Sequence, residues 1–370
     1  MNKDYLQYNW ESFINLPTTE KSSLFNHKNG SPYHCLMAQQ FDRNFLDHLY
    51  NLTNIIRAIS KSKSGSLYLQ SIMPHYRVML YFMQPSTRTY LSFRTACQIL
   101  GIQTSDVRDS SISSEVKGET PEDTIRTFSS YFDFIIMRHP EEGMAEKAAW
   151  VLEHSDRPVP VINAGSGKDQ HPTQALLDIY TLRRSFEHHD GLANKTIMLV
   201  GDLLRGRTVR SLAQLLTMFE GIRIILSSPE KYKMKQDVLD CLKAANVEFI
   251  ETTEFKKHLP EADAIYMTRV QDEHDTDSFK SESSLTDFSL GEADLKDLKP
   301  HTAIMHPLPR RGEISPDIDN DPRAKYWRQE RNGMWTRAAL MLLIAEKDRE
   351  VLDYWQDISH QVNHTAKAKL

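Results

Sequence analysis

The chain has only three cysteines, Cys35, Cys97 and Cys241, and they lie far apart. No CxxC pair exists, so neither a zinc knuckle nor a disulfide framework is indicated. The pattern reads as three reduced thiols in a cytoplasmic protein. Long apolar runs are also missing. The longest, Ala338 to Ala345, is far too short to cross a bilayer. Residues 1–16 carry Asp4 and Glu11 without a continuous apolar stretch, unlike a signal peptide. HExxH, EF-hand, Gly-x-Ser-x-Gly, Gly-x-Gly-x-x-Gly and Gly-x-x-x-x-Gly-Lys-Ser/Thr patterns are all absent. Metal, serine-nucleophile, dinucleotide and nucleoside-triphosphate chemistry thus lack their usual signatures. A net charge of −5 gives no general attraction for nucleic acid or an anionic membrane. Anion binding, if present, needs positive charge concentrated locally.

What remains is ordinary in bulk and unusual in pattern. With 370 residues, 40% hydrophobic and 26% charged, the chain is long enough for two domains. Residues 1–34 are polar and aperiodic, with Asn29-Gly30 and Ser31-Pro32 as turn signals, and read as an N-terminal extension. Beyond them, short β-rich runs alternate with helical patterns. The runs are Val78–Phe82, Phe132–Met137, Val159–Asn163, Thr196–Val200, Ile222–Leu226, Val247–Ile250, Ala262–Thr268 and Thr302–Met305. The helical stretches are Tyr90–Leu100, Pro140–His154, Pro172–Arg184, Thr208–Glu220 and Glu230–Ala245, with a last long helix over Gly333–Trp355. This alternation predicts an α/β fold of parallel sheets covered on both faces. Asp272–Gly291, rich in Ser, Asp and Glu, reads as a surface loop.

Polar clusters recur just after the strand runs: Ser86-Thr87-Arg88-Thr89, Arg138-His139-Pro140, His171-Pro-Thr-Gln174, Arg207-Thr208, Arg269-Val-Gln271 and His306-Pro-Leu-Pro-Arg310. In open α/β sheets, ligands bind outside the carboxyl ends of strands. Six such clusters predict one composite site in a cleft between two sheets.

The residue types point to anions. Ser86 to Thr89 open a helix whose first N–H groups, with hydroxyls and a guanidinium added, make a phosphate site. A plain Ser/Thr helix cap is the common alternative, but it requires no arginine. His171-Pro172 also starts a helix, a position where proline is favourable for structural reasons alone. It follows the turn Asn163-Ala-Gly-Ser-Gly167, so its imidazole can donate to a carbonyl oxygen, and Gln174 can hold an amide. Arg138, Arg207 and Arg269 would each ordinarily be solvated surface charges. Gathered with Arg88 in one place they are costly without anions such as a phosphate and carboxylates. Gln271 can complete a carboxylate clamp. In His306-Pro-Leu-Pro-Arg310, two prolines stiffen the turn and leave carbonyl oxygens to accept from an amine.

In order and spacing, these segments resemble the aspartate carbamoyltransferases of the aspartate/ornithine carbamoyltransferase family. Those carrying the resemblance are Gln84–Thr89, Lys117–Thr120, Met137–Pro140, Gln170–Gln174, Val200–Asp202 with Gly206–Thr208, Thr268–Gln271 and His306–Arg310. The likeness runs from about Ala38 to about Leu343, and Ala38-Gln-Gln-Phe-Asp-Arg43 looks most like the plant-type branch. His306-Pro-Leu-Pro favours aspartate over ornithine, whose enzymes usually carry His-Cys-Leu-Pro.

The resemblance implies two doubly wound parallel-sheet domains. A carbamoyl-phosphate-binding domain spans 35–183, completed by a C-terminal helix over 333–370, and an aspartate-binding domain spans 184–332. Ser86, Thr87, Arg88 and Thr89 would hold the phosphate. Arg138, His171 and Thr89 would polarise the carbonyl. Gln174, with the backbone at Leu308 and Pro309, would hold the carbamoyl amide. Arg207, Thr208, Arg269 and Gln271 would grip aspartate. Ser113 and Lys117 would reach a neighbouring subunit's site in a homotrimer. No metal or organic cofactor is implied, and the sequence specifies no regulatory chain. Departures from the family pattern are Gln84 and Tyr90 around the Ser-Thr-Arg-Thr, Ser166 in place of Asp, Gln271-Asp-Glu-His274 in place of Gln-Lys-Glu-Arg, and extra residues within 272–291. Those beyond Arg269 would lie beside the aspartate site and bear on domain closure and on the acceptor. The alternatives are therefore a carbamoyltransferase with another amino acceptor, or a weakly active homologue serving as a binding or regulatory protein.

Overall fold

The computed structural model describes residues 4–27, 29–108, 118–167, 170–269 and 287–367. The chain divides into two compact units: Met1–Thr173 with Gly333–Leu370, and Gln174–Asn332.

The first unit is built on a four-stranded sheet. Its strands are β1 (Arg77–Phe82), β2 (Gln103–Val107), β3 (Phe134–Arg138) and β4 (Val161–Asn163), all parallel, in the order β2-β1-β3-β4. Every residue of β3 and β4, and all but the first of β1, is buried. These strands are therefore continuous apolar runs, as a parallel sheet with both faces covered requires. Met79, Tyr81, Ile135, Met137 and Val161 share one face. Helix α7 (Met144–Glu153) covers it with Ala145, Ala148, Ala149 and Leu152.

The N-terminal segment covers the same face. Helices α1 (Trp10–Ile14) and α2 (Thr18–Leu24) bring Phe13, Leu24 and Phe25 into that core. Cys35 then lies alongside the edge strand β4, its N–H donating to Val161 O at 2.9 Å and its carbonyl accepting from Asn163 N at 2.8 Å. The stretch read as a polar extension thus supplies core side chains. It shows no periodicity because each of its helices is two turns or less.

Further helices of this unit are α3 (Arg43–Ile59), capped by Asp42, α4 (Lys63–Gln70), α5 (Thr87–Ile99) and α6 (Pro121–Tyr131), capped by Thr120. In the second unit, β5 (Thr196–Val200), β6 (Arg223–Ser227), β7 (Glu248–Thr252), β8 (Ala264–Met267) and β9 (Ala303–Met305) form a parallel sheet in the order β7-β6-β5-β8-β9. Helices α8 (Pro172–Ser185), α9 (Arg207–Leu216) and α10 (Gln236–Ala244) accompany it. One sheet face, with Met198, Val200, Ile225, Ile265, Met267 and Ile304, packs on Phe255, Leu259, Phe288 and Ile314.

The expected pair of parallel-sheet α/β domains is what forms. Two local expectations change. Gln103–Val107 is a strand that hydrophobic runs do not reveal, because it is a polar edge strand with no buried residue. The single helix expected over Gly333–Trp355 is two, α11 (Tyr326–Ile344) and α12 (Asp348–Lys367). Glu346 takes φ of 54° between them, with Lys347 N donating to Leu342 O and Glu346 N to Leu343 O. That double bond pattern with a left-handed residue is a helix C-terminal motif, and it stops α11 without glycine.

Candidate active site

In each sheet the strand order reverses at one place. The chain runs β1 to β2 on one side and returns to β3 on the other; likewise β5 to β7, then β8. Such switch points leave a crevice at the carboxyl ends of the flanking strands. In the first unit the flanking strands are β1 and β3, which deliver Ser86–Thr89 and Arg138. In the second they are β5 and β8, which deliver Arg207–Thr208 and Arg269.

The first of these places is tightly drawn together. Met83 and Gln84 N–H groups both donate to Arg138 O, at 2.9 and 3.2 Å, fixing the Ser-Thr-Arg-Thr loop to the end of β3. Ser86 occupies the cap position of α5, but its side chain makes no capping hydrogen bond. The plain-cap explanation of this serine therefore does not hold. Thr89 is buried, while Thr87 and Arg88 are exposed at the helix start. Arg138 is buried and donates from Nη1 to Ala164 O at 3.2 Å.

Gly165 shows how close the groups come. It holds φ of 99°, and a Cβ there would lie 2.7 Å from His171 Cδ2 and 3.0 Å from Arg138 Nη1. Only glycine lets this turn pass beside both side chains. Asn163 shapes the turn, its Oδ1 accepting from Gly165 N at 2.9 Å and Ser166 N at 2.8 Å. A buried guanidinium and an imidazole are thus gathered beside an open helix N-terminus, all suited to an oxyanion. Tyr90, one of the departures from the family pattern, is buried against Phe82. The Arg108 guanidinium stands 4.1 Å over its ring, so positive charge remains beside this helix.

In the second unit, Gly201 takes φ of 110°, and a Cβ there would fall 2.2 Å from Thr268 O. The loop after β5 therefore touches the end of β8, next to Arg269. Asp202, fully buried, turns that loop by accepting from Arg205 N at 2.9 Å. Arg207 is the first residue of α9, where the helix dipole disfavours a cation. Burial pushes its pKa down to about 10. A cation kept in two unfavourable environments is a mark of an anion site.

The His306-Pro-Leu-Pro turn is braced from within. His306 Nδ1 accepts from Leu308 N at 2.8 Å, and Nε2 lies 2.7 Å from Glu313 Oε1. Because Nδ1 accepts a backbone N–H, the ring proton sits on Nε2 and donates to Glu313. Leu308 holds φ of 50°, a conformation unusual for a γ-branched residue, and its peptide to Pro309 is cis.

Ser113, Lys117 and Gln271 lie outside the described residues, as does most of 272–291. Sequence reasoning did not single out three buried side chains that meet next to Gln174: Asp178, Tyr266 and Gln329. Asp178 gave a signal, being a lone carboxylate among Ala175, Leu176, Leu177 and Ile179 of an otherwise apolar helix stretch.

Comparison with known proteins agrees over nearly the whole chain. Residues 33–184 match the family model for the aspartate/ornithine carbamoyltransferase carbamoyl-P binding domain, and residues 193–344 match its Asp/Orn binding domain. A chloroplastic aspartate carbamoyltransferase of Arabidopsis thaliana is 42% identical over 310 residues, 83% of this chain and 76% of that protein. The aspartate carbamoyltransferase catalytic subunit of Methanothrix thermoacetophila is 38% identical over 313 residues, 85% of this chain and 98% of that one. Among solved structures, Trypanosoma cruzi aspartate transcarbamoylase in complex with carbamoyl phosphate superposes with a TM-score of 0.76 at 33% identity, covering 86% of this chain and 96% of that one. With two parallel sheets of this topology and both family models matched in order, the chain belongs to the aspartate/ornithine carbamoyltransferase family.

Proposed function

We propose that the protein is an aspartate carbamoyltransferase. It transfers the carbamoyl group of carbamoyl phosphate to the α-amine of L-aspartate, giving N-carbamoyl-L-aspartate and phosphate, a step of de novo pyrimidine biosynthesis. The observation that carries this reading is the crowding of Arg138 and His171 against the Gly165 turn, with Arg138 O also holding the loop that leads into the uncapped helix start at Ser86, in a chain whose relatives bear that name. The solved relative's complex with carbamoyl phosphate supports the donor.

The residue roles follow from their chemistry. Ser86, Thr87, Arg88 and Thr89 bind the phosphate. Arg138, His171 and Thr89 donate to the carbonyl oxygen, which becomes an oxyanion when the amine attacks the carbonyl carbon. Gln174 and the Leu308–Pro309 turn hold the carbamoyl amide. Arg207, Thr208, Arg269 and Gln271 hold the two carboxylates of aspartate. The carbon–oxygen bond to phosphate then breaks, the proton lost by the attacking amine passes to the departing phosphate, and hydrogen phosphate leaves as the dianion that the arginines stabilise. Positioning and electrostatics supply the rate. Ser113 and Lys117 serve a neighbouring subunit's site in a homotrimer. Three cysteines without disulfides support a reducing compartment, for which we propose the cytoplasm. Among the described residues no helix is long and apolar enough to cross a membrane.

The test is phosphate release from carbamoyl phosphate with a panel of amino acceptors. Aspartate-dependent turnover, abolished by Arg269→Ala, is expected. Turnover only with another acceptor, or with none, overturns the reading.

A further inference from the structure

Asp178 lies on α8 one turn after Gln174, and its carboxylate is fully buried. Three side chains converge on it. Tyr266 of β8 donates its hydroxyl to Oδ2 at 2.7 Å, Gln329 of α11 donates from Nε2 to Oδ1 at 2.7 Å, and Gln174 donates from Nε2 to Oδ1 at 3.0 Å. The oxygen and nitrogen of an amide are nearly alike in shape, so their assignment rests on partners. Here the partners settle it. The His306 backbone N–H can only donate, and it donates to Gln329 Oε1 at 2.9 Å. Gln329 Nε2 therefore faces Asp178, and Asp178 Oδ1 accepts.

Gln174, bonded to that same oxygen, must then present its NH2 group. The amide nitrogen is thus turned inward, toward Asp178. The end of this half-buried side chain left to meet a ligand is its carbonyl oxygen. The same carboxylate reaches the proline-rich turn. Gln329 holds His306, and His306 Nδ1 takes the Leu308 N–H, so the turn too presents a carbonyl oxygen.

We propose that Asp178 is the positioning residue for donor selectivity: it fixes Gln174 as a hydrogen-bond acceptor, so that the site favours an acyl phosphate bearing NH2 over one bearing CH3. The inference rests on the functional reading above, in which Gln174 and Leu308 meet the carbamoyl amide. Acetyl phosphate has the same shape as carbamoyl phosphate but a methyl in place of the amine. It would leave both acceptors without donors, and a site built to hydrogen-bond a group rejects an analogue lacking it.

The experiment uses full-length enzyme with aspartate saturating and acetyl phosphate as a competitive inhibitor against carbamoyl phosphate. Selectivity is the ratio of the acetyl phosphate inhibition constant to the carbamoyl phosphate KM. Asp178→Asn lets the Gln174 amide turn over, so selectivity should fall about tenfold, with the acetyl phosphate constant changed by less than about twofold. Gln174→Met should lose the same selectivity, and Asp178→Asn should add no further loss in that background. A folded Asp178→Asn enzyme with unchanged selectivity, or one whose loss persists in the Gln174→Met background, overturns the inference. Should Asp178→Asn fail to fold, Tyr266→Phe removes one anchor of Asp178. It should lower selectivity by at least about twofold, and no change would equally overturn the proposal. Wild-type enzyme that transfers nothing to aspartate sinks the functional reading and this inference together. Wild-type activity with insensitive selectivity sinks this inference alone.

Discussion

Replacing Gly165 by alanine perturbs the candidate site with a single methyl group. The added Cβ would sit 2.7 Å from His171 Cδ2 and 3.0 Å from Arg138 Nη1, so His171 must yield by about 0.7 Å to reach an ordinary contact of 3.4 Å. The backbone carries a second cost, because φ of 99° is one that alanine adopts poorly, at roughly 1–2 kcal/mol. Displacements approaching 1 Å among positioned groups cost on the order of 100-fold in rate. Gly165→Ala should therefore lower kcat/KM for carbamoyl phosphate by about 10- to 100-fold. The control is Gly191→Ala, where φ is 73° and a Cβ would meet nothing within 4 Å. It has a comparable backbone cost without the crowding, so its melting temperature should fall while its kinetics stay at wild-type values. Phosphate release at saturating aspartate, with thermal melts of both variants, measures the two effects separately. A folded Gly165→Ala enzyme with wild-type kcat/KM would refute the packing of Arg138 and His171 against this turn as the basis of activity.

Arg207→Gln should raise the KM for aspartate by at least about tenfold in steady-state assays, and an unchanged KM would remove this cation from the acceptor site. Phe13→Ala should destabilise the protein by about 3–5 kcal/mol in urea titrations. The side chain is fully buried, stacked on Trp10 with ring centroids 5.9 Å apart and edge-on to Phe25 at 5.6 Å, so a loss under about 1 kcal/mol would mean the N-terminal helices are not part of the core. Mixing inactive Lys117→Ala and Arg88→Ala proteins should restore activity through hybrid sites in a trimer. Sizing in solution as a monomer, or no recovery on mixing, argues against sharing.

The parts of the fold legible in the sequence are those whose physics is local. Strands buried on both faces, such as Phe134–Arg138, stand out as apolar runs, and polar clusters stand out just beyond their ends. What escaped has non-local causes. Gln103–Val107 is a strand only because β1 offers it an edge, since none of its own residues is buried. Phe13 and Phe25 sit in a stretch with no period, and only the finished sheet shows that they cover it. Glu346 ends a helix through a left-handed turn that usually announces itself with glycine. The candidate site residues that the sequence makes visible are those with charged or hydroxyl side chains just after strands. Asp178 was hidden because its partners, Tyr266 and Gln329, come from segments 88 and 151 residues away.

Because each sheet reverses its strand order once and carries its polar cluster at that reversal, the two halves of the chemistry can change independently. Loops following β5 and β8 can be lengthened or recharged without disturbing the hydrogen bonds that tie Met83 and Gln84 to Arg138. Natural variation of the acceptor can then accumulate in one unit while the activated donor is conserved in the other. The departures of this chain beyond Arg269 fall in that second unit, which makes it a natural place to redesign which amine is carbamoylated.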